Sequence, residues 1–208
     1  MSVAVSTALV VRRELFSSYG AAASPSGAAP AEGDRPVKNW ADLVGAGHRI
    51  GPKNSVVTIV EFADFECPAC KKFFGDVEAL RAKYPARIAI VFRHWPLPYH
   101  RFAYPSARAA ECAAEQGQFE SYYSILYTTQ DSLGLISFGE MAKRAGIHNP
   151  AAFDACTRID GKLPAVEKDV AAAKALGARG TPTIVMNGIM LGRPPSMESL
   201  EALVKGAQ

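Results

Sequence analysis

Two cysteines separated by two residues carry the clearest chemical signal in this sequence. Cys67 and Cys70 enclose Pro68 and Ala69 in the stretch CPAC, which follows the apolar run SVVTIVEFADF at residues 55–65. After the pair, apolar residues recur at helical spacing, so we expect the pair to open a helix. Unpaired backbone N–H groups and the helix dipole stabilise a thiolate at that point, which lowers the pKa of the first cysteine.

This placement predicts a redox pair whose two sulfur atoms have different roles. Cys67 is predicted to be the attacking nucleophile. Cys70 lies one turn later on the same face, so we expect it to be less exposed and to attack the mixed disulfide that Cys67 forms. Pro68 suits the first turn of a helix, where its missing N–H wastes no donor.

Other uses of a cysteine pair remain open from the residues alone. A zinc site would need two more ligands, and Cys112 and Cys156 lie far apart on separate predicted helices. A purely structural bridge across so short a loop would add little stability. We therefore predict no metal ion and no organic cofactor. A rival interpretation is a binding protein for a soft metal such as Cu(I), with Cys67, Cys70 and His94 as ligands.

The surrounding pattern predicts an α/β fold in two halves. The first half reads as strand, helix and strand, and its second strand is RIAIVFRHWPL at residues 87–97. Four segments with helical periodicity follow over about residues 101–160. The last half reads as a helix, two strands joined by Asn187-Gly188, and a helix that begins at Ser196. The order is βαβ, a helical insertion, and αββα.

Composition favours a globular enzyme over a chain that coats nucleic acid. Of the 208 residues, 49% are hydrophobic and 21% are charged, and the formal net charge is only +3. This balance is unlike that of disordered chains. The sequence also contains no extended basic stripe, so we predict no nucleic-acid partner.

The N-terminal residues predict export or tethering to a membrane. Residues 2–11 are mostly apolar but too few for a full membrane span of roughly 20 residues. The stretch AAA at residues 21–23 offers a cleavage site for a signal peptide. Residues 20–36 are rich in Ala, Ser, Pro and Gly, which is typical of a mobile linker. We therefore predict a signal-like or anchor-like segment and linker over residues 1–36 and a folded domain over residues 37–208, with export or membrane tethering favoured over a cytosolic extension.

A second motif, far along the chain, adds to the cysteine pair. In GTPT, residues 180–183, Pro182 stands at the entrance to a predicted strand, where the preceding peptide bond can be cis. Together with FADFECPAC, FRHWPLPYH and ECAAEQGQF, this motif resembles the DsbA-like branch of the thioredoxin superfamily over about residues 50–207. The resemblance implies a thioredoxin fold with a cis bond between Thr181 and Pro182 beside the cysteines.

The same resemblance implies a thiol-disulfide oxidoreductase of the cell envelope. It would exchange disulfides with cysteine-containing client proteins and be regenerated by a membrane or small-molecule redox partner. Pro68, Ala69, Thr181 and Pro182 are expected to contact the client. Strongly oxidising DsbA proteins usually carry histidine before the second cysteine, so Ala69 predicts a reduction potential between those of thioredoxin and DsbA. A reductase or isomerase of the same superfamily is the alternative, and a non-catalytic binding module is a third.

Glu61 is predicted to serve the cysteine pair as a proton relay. It lies six residues before Cys67 in an apolar strand, where similar proteins keep a buried acid. Burial should raise the pKa of this carboxyl group and suit it to exchange a proton with Cys70. A solvated residue at the end of the strand is the alternative.

The remaining cysteines and two histidines have weaker signals. A disulfide between Cys112 and Cys156 would close a loop of about 45 residues and contribute about 4 kcal/mol. Buried free thiols are the alternative. His94 and His100 flank WPLPY, and surface exposure or packing is expected for them rather than a role in the substrate groove.

Overall fold

A six-stranded mixed sheet forms the centre of the computed structural model, which describes residues 33–207. Its strands are β1 (Arg35–Pro36), β2 (His48–Ile50), β3 (Val57–Ala63), β4 (Ile88–His94), β5 (Thr183–Met186) and β6 (Ile189–Met190). Their order across the sheet is β1-β6-β5-β3-β4-β2. Only β3 and β4 among these neighbours run parallel, and the other pairs are antiparallel.

Eight α-helices surround the sheet in the described part of the chain. They are α1 (Trp40–Gly45), α2 (Pro68–Lys83), α3 (Ala103–Ala114), α4 (Phe119–Thr128), α5 (Phe138–Arg144), α6 (Pro150–Thr157), α7 (Pro164–Ala175) and α8 (Met197–Gly206). A short 3-10 turn, Gln130–Ser132, follows α4. Within residues 33–207, no helix combines the length and the apolar character needed to cross a bilayer.

The two central strands have buried side chains along their whole length. Successive side chains of a strand point to opposite faces, so β3 contributes to two separate cores. Ile59 and Ala63 pack in the core that also contains residues of α2 to α6 and α8. Val60 and Phe62 pack on the other face, against residues of α1 and α7. By the same alternation, Glu61 points toward the face that α2 covers.

The predicted order of elements is confirmed. The unit β3-α2-β4 comes first, α3 to α6 form the helical insertion, and α7, β5, β6 and α8 complete the fold. The turn between β5 and β6 places Asn187 at φ 46° and Gly188 at φ 85°, as a two-residue hairpin of this type requires. A Cβ atom at Gly188 would also lie 2.8 Å from the Trp40 ring. Ser196 caps α8 by accepting a hydrogen bond from the Ser199 N–H.

The first described residues correct the predicted linker. Arg35 and Pro36 pair with β6 as the edge strand β1, and the Val37 N–H donates to the Gly188 carbonyl at 2.8 Å. The fold therefore begins before residue 37. A two-residue strand has no alternation to detect, and proline is tolerated at a sheet edge because its missing N–H breaks no ladder there. The apolar segment at residues 2–11 lies outside the described residues.

A disulfide joins the first helix of the insertion to the last. Cys112 on α3 and Cys156 on α6 are bonded, with their Cα atoms 5.8 Å apart and a separation of 44 positions in sequence. Cys112 is fully buried. Beside it, Tyr122 and Phe153 pack with ring centroids 5.2 Å apart. The bond therefore closes the insertion around an aromatic core.

Removing this disulfide should destabilise the protein. With Cys67→Ser and Cys70→Ser as a background that excludes the redox pair, the further changes Cys112→Ala and Cys156→Ala should lower the free energy of unfolding by about 4 kcal/mol, because the unfolded chain regains the entropy of an open loop. Urea denaturation measures the difference. Two titratable thiols in the unfolded, unreduced background protein would contradict the disulfide.

Candidate active site

Cys67 lies directly before the first turn of α2, in extended backbone with φ −76° and ψ 120°. Pro68 takes the first helical position. The side chains of Pro68 and Ala69 are exposed, Cys67 is 7% exposed, and Cys70 is fully buried. The two cysteines are not bonded to each other. Only the first sulfur can therefore be reached by another protein, which is the arrangement that a nucleophile and a resolving thiol require.

The loop that carries Cys67 is held by two side chains that the sequence analysis did not identify. Asp64 accepts a hydrogen bond from the Glu66 N–H at 2.7 Å, and its carbonyl accepts from the Cys67 N–H at 3.1 Å. The buried Gln130 amide donates to the carbonyls of Phe65 and Cys67, at 2.8 and 3.1 Å. The loop is thus fixed from its own strand and from the helical insertion.

Asp64 also connects this loop to the segment after β4. Its second carboxylate oxygen accepts hydrogen bonds from the Leu97 N–H and from His100 Nδ1, both at 2.8 Å. Burial raises the pKa of Asp64, and these hydrogen bonds oppose the shift. His100 therefore contacts Asp64. The sequence could have indicated Asp64, because it is a polar residue directly after an apolar strand. Nothing in the sequence around Gln130 indicates its contact with this loop.

Thr181 and Pro182 reach the cysteines from the far half of the chain. Strand β5 pairs antiparallel with β3, with Thr183 opposite Phe62, so the residues before β5 arrive where β3 ends. The Thr181–Pro182 peptide bond is cis. The Thr181 carbonyl lies 3.5 Å from the Cys67 sulfur, which donates to it when the thiol is protonated. Pro182 is buried and Thr181 is partly exposed, so the backbone at Thr181 lies beside the reachable sulfur.

Hydrogen bonds to its sulfur lower the pKa of Cys67 from 9.0 to about 5. The Cys70 thiol makes the largest contribution. Burial acts in the opposite direction, and the hydrogen bonds of the Cys70 thiol, of Thr181 and of the N–H groups of Cys70 and Ala69 together outweigh it. The Thr181 hydroxyl is buried and has no other partner, so it is free to donate to the thiolate. Cys67 is therefore ionised at neutral pH.

In contrast to Cys67, Glu61 and Cys70 have raised pKa values because both side chains are buried. Burial, followed by the charge of the Cys67 thiolate, raises the pKa of Glu61 from 4.5 to about 8. Burial also raises the pKa of Cys70, and the hydrogen bond with Cys67 and the charge of Glu61 add to this shift. One Glu61 oxygen is buried without a partner. At neutral pH the site therefore contains a thiolate on Cys67, a neutral thiol on Cys70 and a protonated carboxyl group on Glu61.

His94 lies away from this chemistry. It is 1% exposed at the end of β4, and its Nε2 lies 2.8 Å from a carboxylate oxygen of Glu111. Within residues 33–207, the ligand atoms of Cys67, Cys70 and His94 do not form a cluster close enough to hold a metal ion. The geometry thus gives no support to the soft-metal alternative.

The source of the lowered Cys67 pKa can be tested at Cys70. The change Cys70→Ala removes the donor that contributes most, so the pKa of Cys67 should rise from about 5 toward 9.0. Cys70→Ser retains a hydroxyl donor of similar size and should preserve most of the shift. The ultraviolet absorbance of the thiolate, followed against pH in the reduced proteins, measures both values. Equal pKa values in the two variants would contradict the assignment.

A profile of the thioredoxin family matches residues 44–206. Among solved structures, the fold is similar to that of BdbD from Bacillus subtilis, with 21% identity, a TM-score of 0.68, and coverage of 78% of this chain and 92% of that one. The catalytic domain of Proteus mirabilis ScsC gives 23% identity, a TM-score of 0.65, and coverage of 80% and 93%. A periplasmic thioredoxin-like protein from Salmonella enterica serovar Typhimurium gives 23% identity, a TM-score of 0.60, and coverage of 82% and 97%.

Curated relatives are larger proteins. The chain is 36% identical over 163 residues to Na(+)/H(+) antiporter NhaA 3 of Salinispora tropica, a match of 77% of this chain and 24% of that protein. It is 35% identical over 144 residues to Na(+)/H(+) antiporter NhaA 1 of Mycolicibacterium gilvum, a match of 68% of this chain and 23% of that protein. The chain thus spans about a quarter of the length of these relatives. Because the family profile covers most of the described residues and the fold agrees, the chain belongs to the thioredoxin family.

Proposed function

We propose that this protein is a thiol-disulfide oxidoreductase that passes disulfides to cysteine-containing client proteins through a mixed disulfide on Cys67. The observation that carries the proposal is the unequal acidity of the two sulfurs, with a pKa of about 5 at Cys67 and a raised pKa at Cys70. Thiol-disulfide exchange requires a reachable sulfur that leaves or attacks as a thiolate. Cys67 satisfies both conditions.

The oxidising cycle begins with a disulfide between Cys67 and Cys70. A client thiolate attacks the Cys67 sulfur, the bond between the cysteines breaks, and Cys70 leaves and takes a proton from Glu61. A second client thiolate then attacks the client sulfur of the mixed disulfide. Cys67 leaves as a thiolate, the client gains a disulfide, and two electrons remain on the protein. The low pKa of Cys67 makes it a good leaving group in this last step.

The client is proposed to lie across the exposed rim of the site. Pro68 and Ala69 are exposed on one side of Cys67, and the partly exposed backbone of Thr181 lies on the other. An extended client segment can pair with the backbone at Thr181, as an added strand does at an open sheet edge. Pro182, which is buried, directly follows Thr181 and holds its backbone in position.

An oxidising compartment outside the cytoplasm fits the second cysteine pair. The bond between Cys112 and Cys156 is of the structural kind that persists in the periplasm and at cell surfaces. One protein of similar fold is itself described as periplasmic. A membrane-bound or small-molecule oxidant would then restore the disulfide of the active pair, and an N-terminal tether would keep the domain beside such a partner.

The reducing direction is the second candidate. Ala69 leaves Cys67 without an adjacent histidine, so its thiolate lacks one cationic stabiliser that strongly oxidising relatives use. In this direction the Cys67 thiolate attacks a client disulfide, and the fraction of Glu61 that is ionised accepts the proton of Cys70 as Cys70 resolves the intermediate. Assays with reduced and with scrambled client protein separate the two directions, because an oxidase accelerates the first and an isomerase the second.

Mixed disulfides should accumulate when the resolving thiol is removed. In cells, Cys70→Ser leaves the attacking sulfur and its donor in place, so client proteins should remain bound to Cys67 and be released by reductant on non-reducing gels. Cys70→Ala should give the same adducts more slowly, because the pKa of Cys67 rises. The matched control Cys67→Ser with Cys70 intact should trap nothing. Adducts of equal yield in this control, or none in Cys70→Ser, would reject the proposal.

A further inference from the structure

Three side chains from three separate elements meet on the α3 side of the sheet, away from the sulfur atoms. They are His48 on β2, His94 on β4 and Glu111 on α3. One Glu111 carboxylate oxygen lies 2.5 Å from His48 Nε2 and 2.8 Å from His94 Nε2. The three ligand atoms all lie within 4.8 Å of one another. This cluster takes no part in the proposed disulfide exchange.

We propose that His48, His94 and Glu111 form a binding site for a divalent transition-metal ion, with Zn²⁺ as the expected ion. Two imidazole nitrogens and one carboxylate oxygen are a ligand set that zinc uses in proteins, with a water molecule completing the tetrahedron. Zinc bonds of about 2.0–2.1 Å place neighbouring ligand atoms about 3.3 Å apart. The two histidine nitrogens lie 2.5 and 2.8 Å from the Glu111 oxygen, which is shorter than this value, and within 4.8 Å of each other. Side-chain movements of about 1 Å would therefore bring the three ligand atoms to zinc-binding distances.

The donor set also excludes other classes of ion. Calcium and magnesium prefer six or more oxygen ligands, and this site offers one carboxylate. Soft ions such as Cu(I) prefer sulfur, and no sulfur belongs to the cluster. Imidazole and carboxylate ligands together favour divalent ions late in the first transition series. Zinc is the expected ion among them because it has no redox chemistry.

The surroundings hold the two rings in place. His48 stacks on Phe119 with centroids 3.8 Å apart and an angle of 9° between the planes. His94 packs between Phe92 and Phe119, with centroids at 5.1 and 6.1 Å. Glu111 precedes Cys112, whose disulfide fixes α3. Ligands that are already ordered lose little freedom on binding an ion, which favours affinity.

The cluster is also open on one side. The side chain of His48 is 27% exposed and that of Glu111 is 17% exposed, whereas that of His94 is 1% exposed. An ion can therefore enter past His48 and reach the buried nitrogen of His94. A bound ion would connect the edge strand β2, the central strand β4 and the helical insertion, so its expected effect is on stability.

Equilibrium dialysis of the oxidised protein against Zn²⁺ tests the site. Oxidation places all four cysteines in disulfides, so thiolate binding cannot contribute. The wild-type protein should retain one equivalent of zinc and unfold at a higher temperature in its presence, because an ion that binds only the folded state stabilises it. The changes His48→Ala and Glu111→Gln should each weaken binding by at least about tenfold, since even outer residues of metal sites cost that much. His148→Ala, at an exposed histidine, should leave it unchanged.

Cobalt provides a second readout that identifies the ligands. Co²⁺ bound to the oxidised wild-type protein at this site should give visible absorption bands, and these bands should be weaker in His48→Ala and Glu111→Gln. The proposal is overturned if the oxidised wild-type protein retains no zinc, or if His48→Ala and Glu111→Gln bind zinc as tightly as His148→Ala does. In those cases the cluster only joins β2, β4 and α3 through hydrogen bonds between Glu111 and the two histidines.

Discussion

A carboxyl group buried in the middle of the sheet is the constraint on which the chemistry of this protein depends. Glu61 lies in a strand whose seven residues are all buried, and one of its oxygens has no hydrogen-bond partner among residues 33–207. An ionised carboxylate is costly there, so the group holds its proton to about pH 8. Cys70, equally buried above it, also stays neutral. Negative charge in the site is therefore carried by the one sulfur that lies at the surface.

The charge on Cys67 is stabilised without any adjacent cation. The residue between the cysteines that often supplies one in related oxidants is Ala69 here. Hydrogen-bond donors take its place: the Cys70 thiol and the first N–H groups of α2, which are local, and the Thr181 side chain, which tertiary structure brings to the site. Gln130 and Asp64 keep the loop in the geometry that these donors require. The acidity of Cys67 thus depends mainly on donors within the CPAC stretch, and the fold adds Thr181 from the far half of the chain.

Long patterns in the sequence predicted much of this arrangement. Very short elements, and contacts between residues far apart in the sequence, could not be predicted. Apolar runs predict β3 and β4, because these strands are buried on both faces. Helical periodicity predicts α2 and the helices of the insertion, because each of these helices buries one face. The strands β1 and β2 and the helix α1 are too short for any period to be seen. The contact of Gln130 with Cys67 joins residues 63 positions apart, and nothing in the local sequence at Gln130 indicates it. The cluster of His48, His94 and Glu111 depends on strand pairing and helix packing in the same way.

Under the proposed function Glu61 exchanges a proton with Cys70, and the rate at which Cys70 resolves a mixed disulfide tests this role most directly. A complex of Cys67 with a cysteine peptide can be prepared and its decay followed at several pH values. In the wild-type protein the rate should rise as Glu61 ionises, with a midpoint above the ordinary value of 4.5 and below about 8, because burial still raises the pKa of Glu61 whereas the charge of the Cys67 thiolate is absent from the mixed disulfide. In Glu61→Gln it should be about 10²-fold lower and lack that step, as expected on loss of a general base. Equal rates and equal pH profiles in the two proteins would contradict the account.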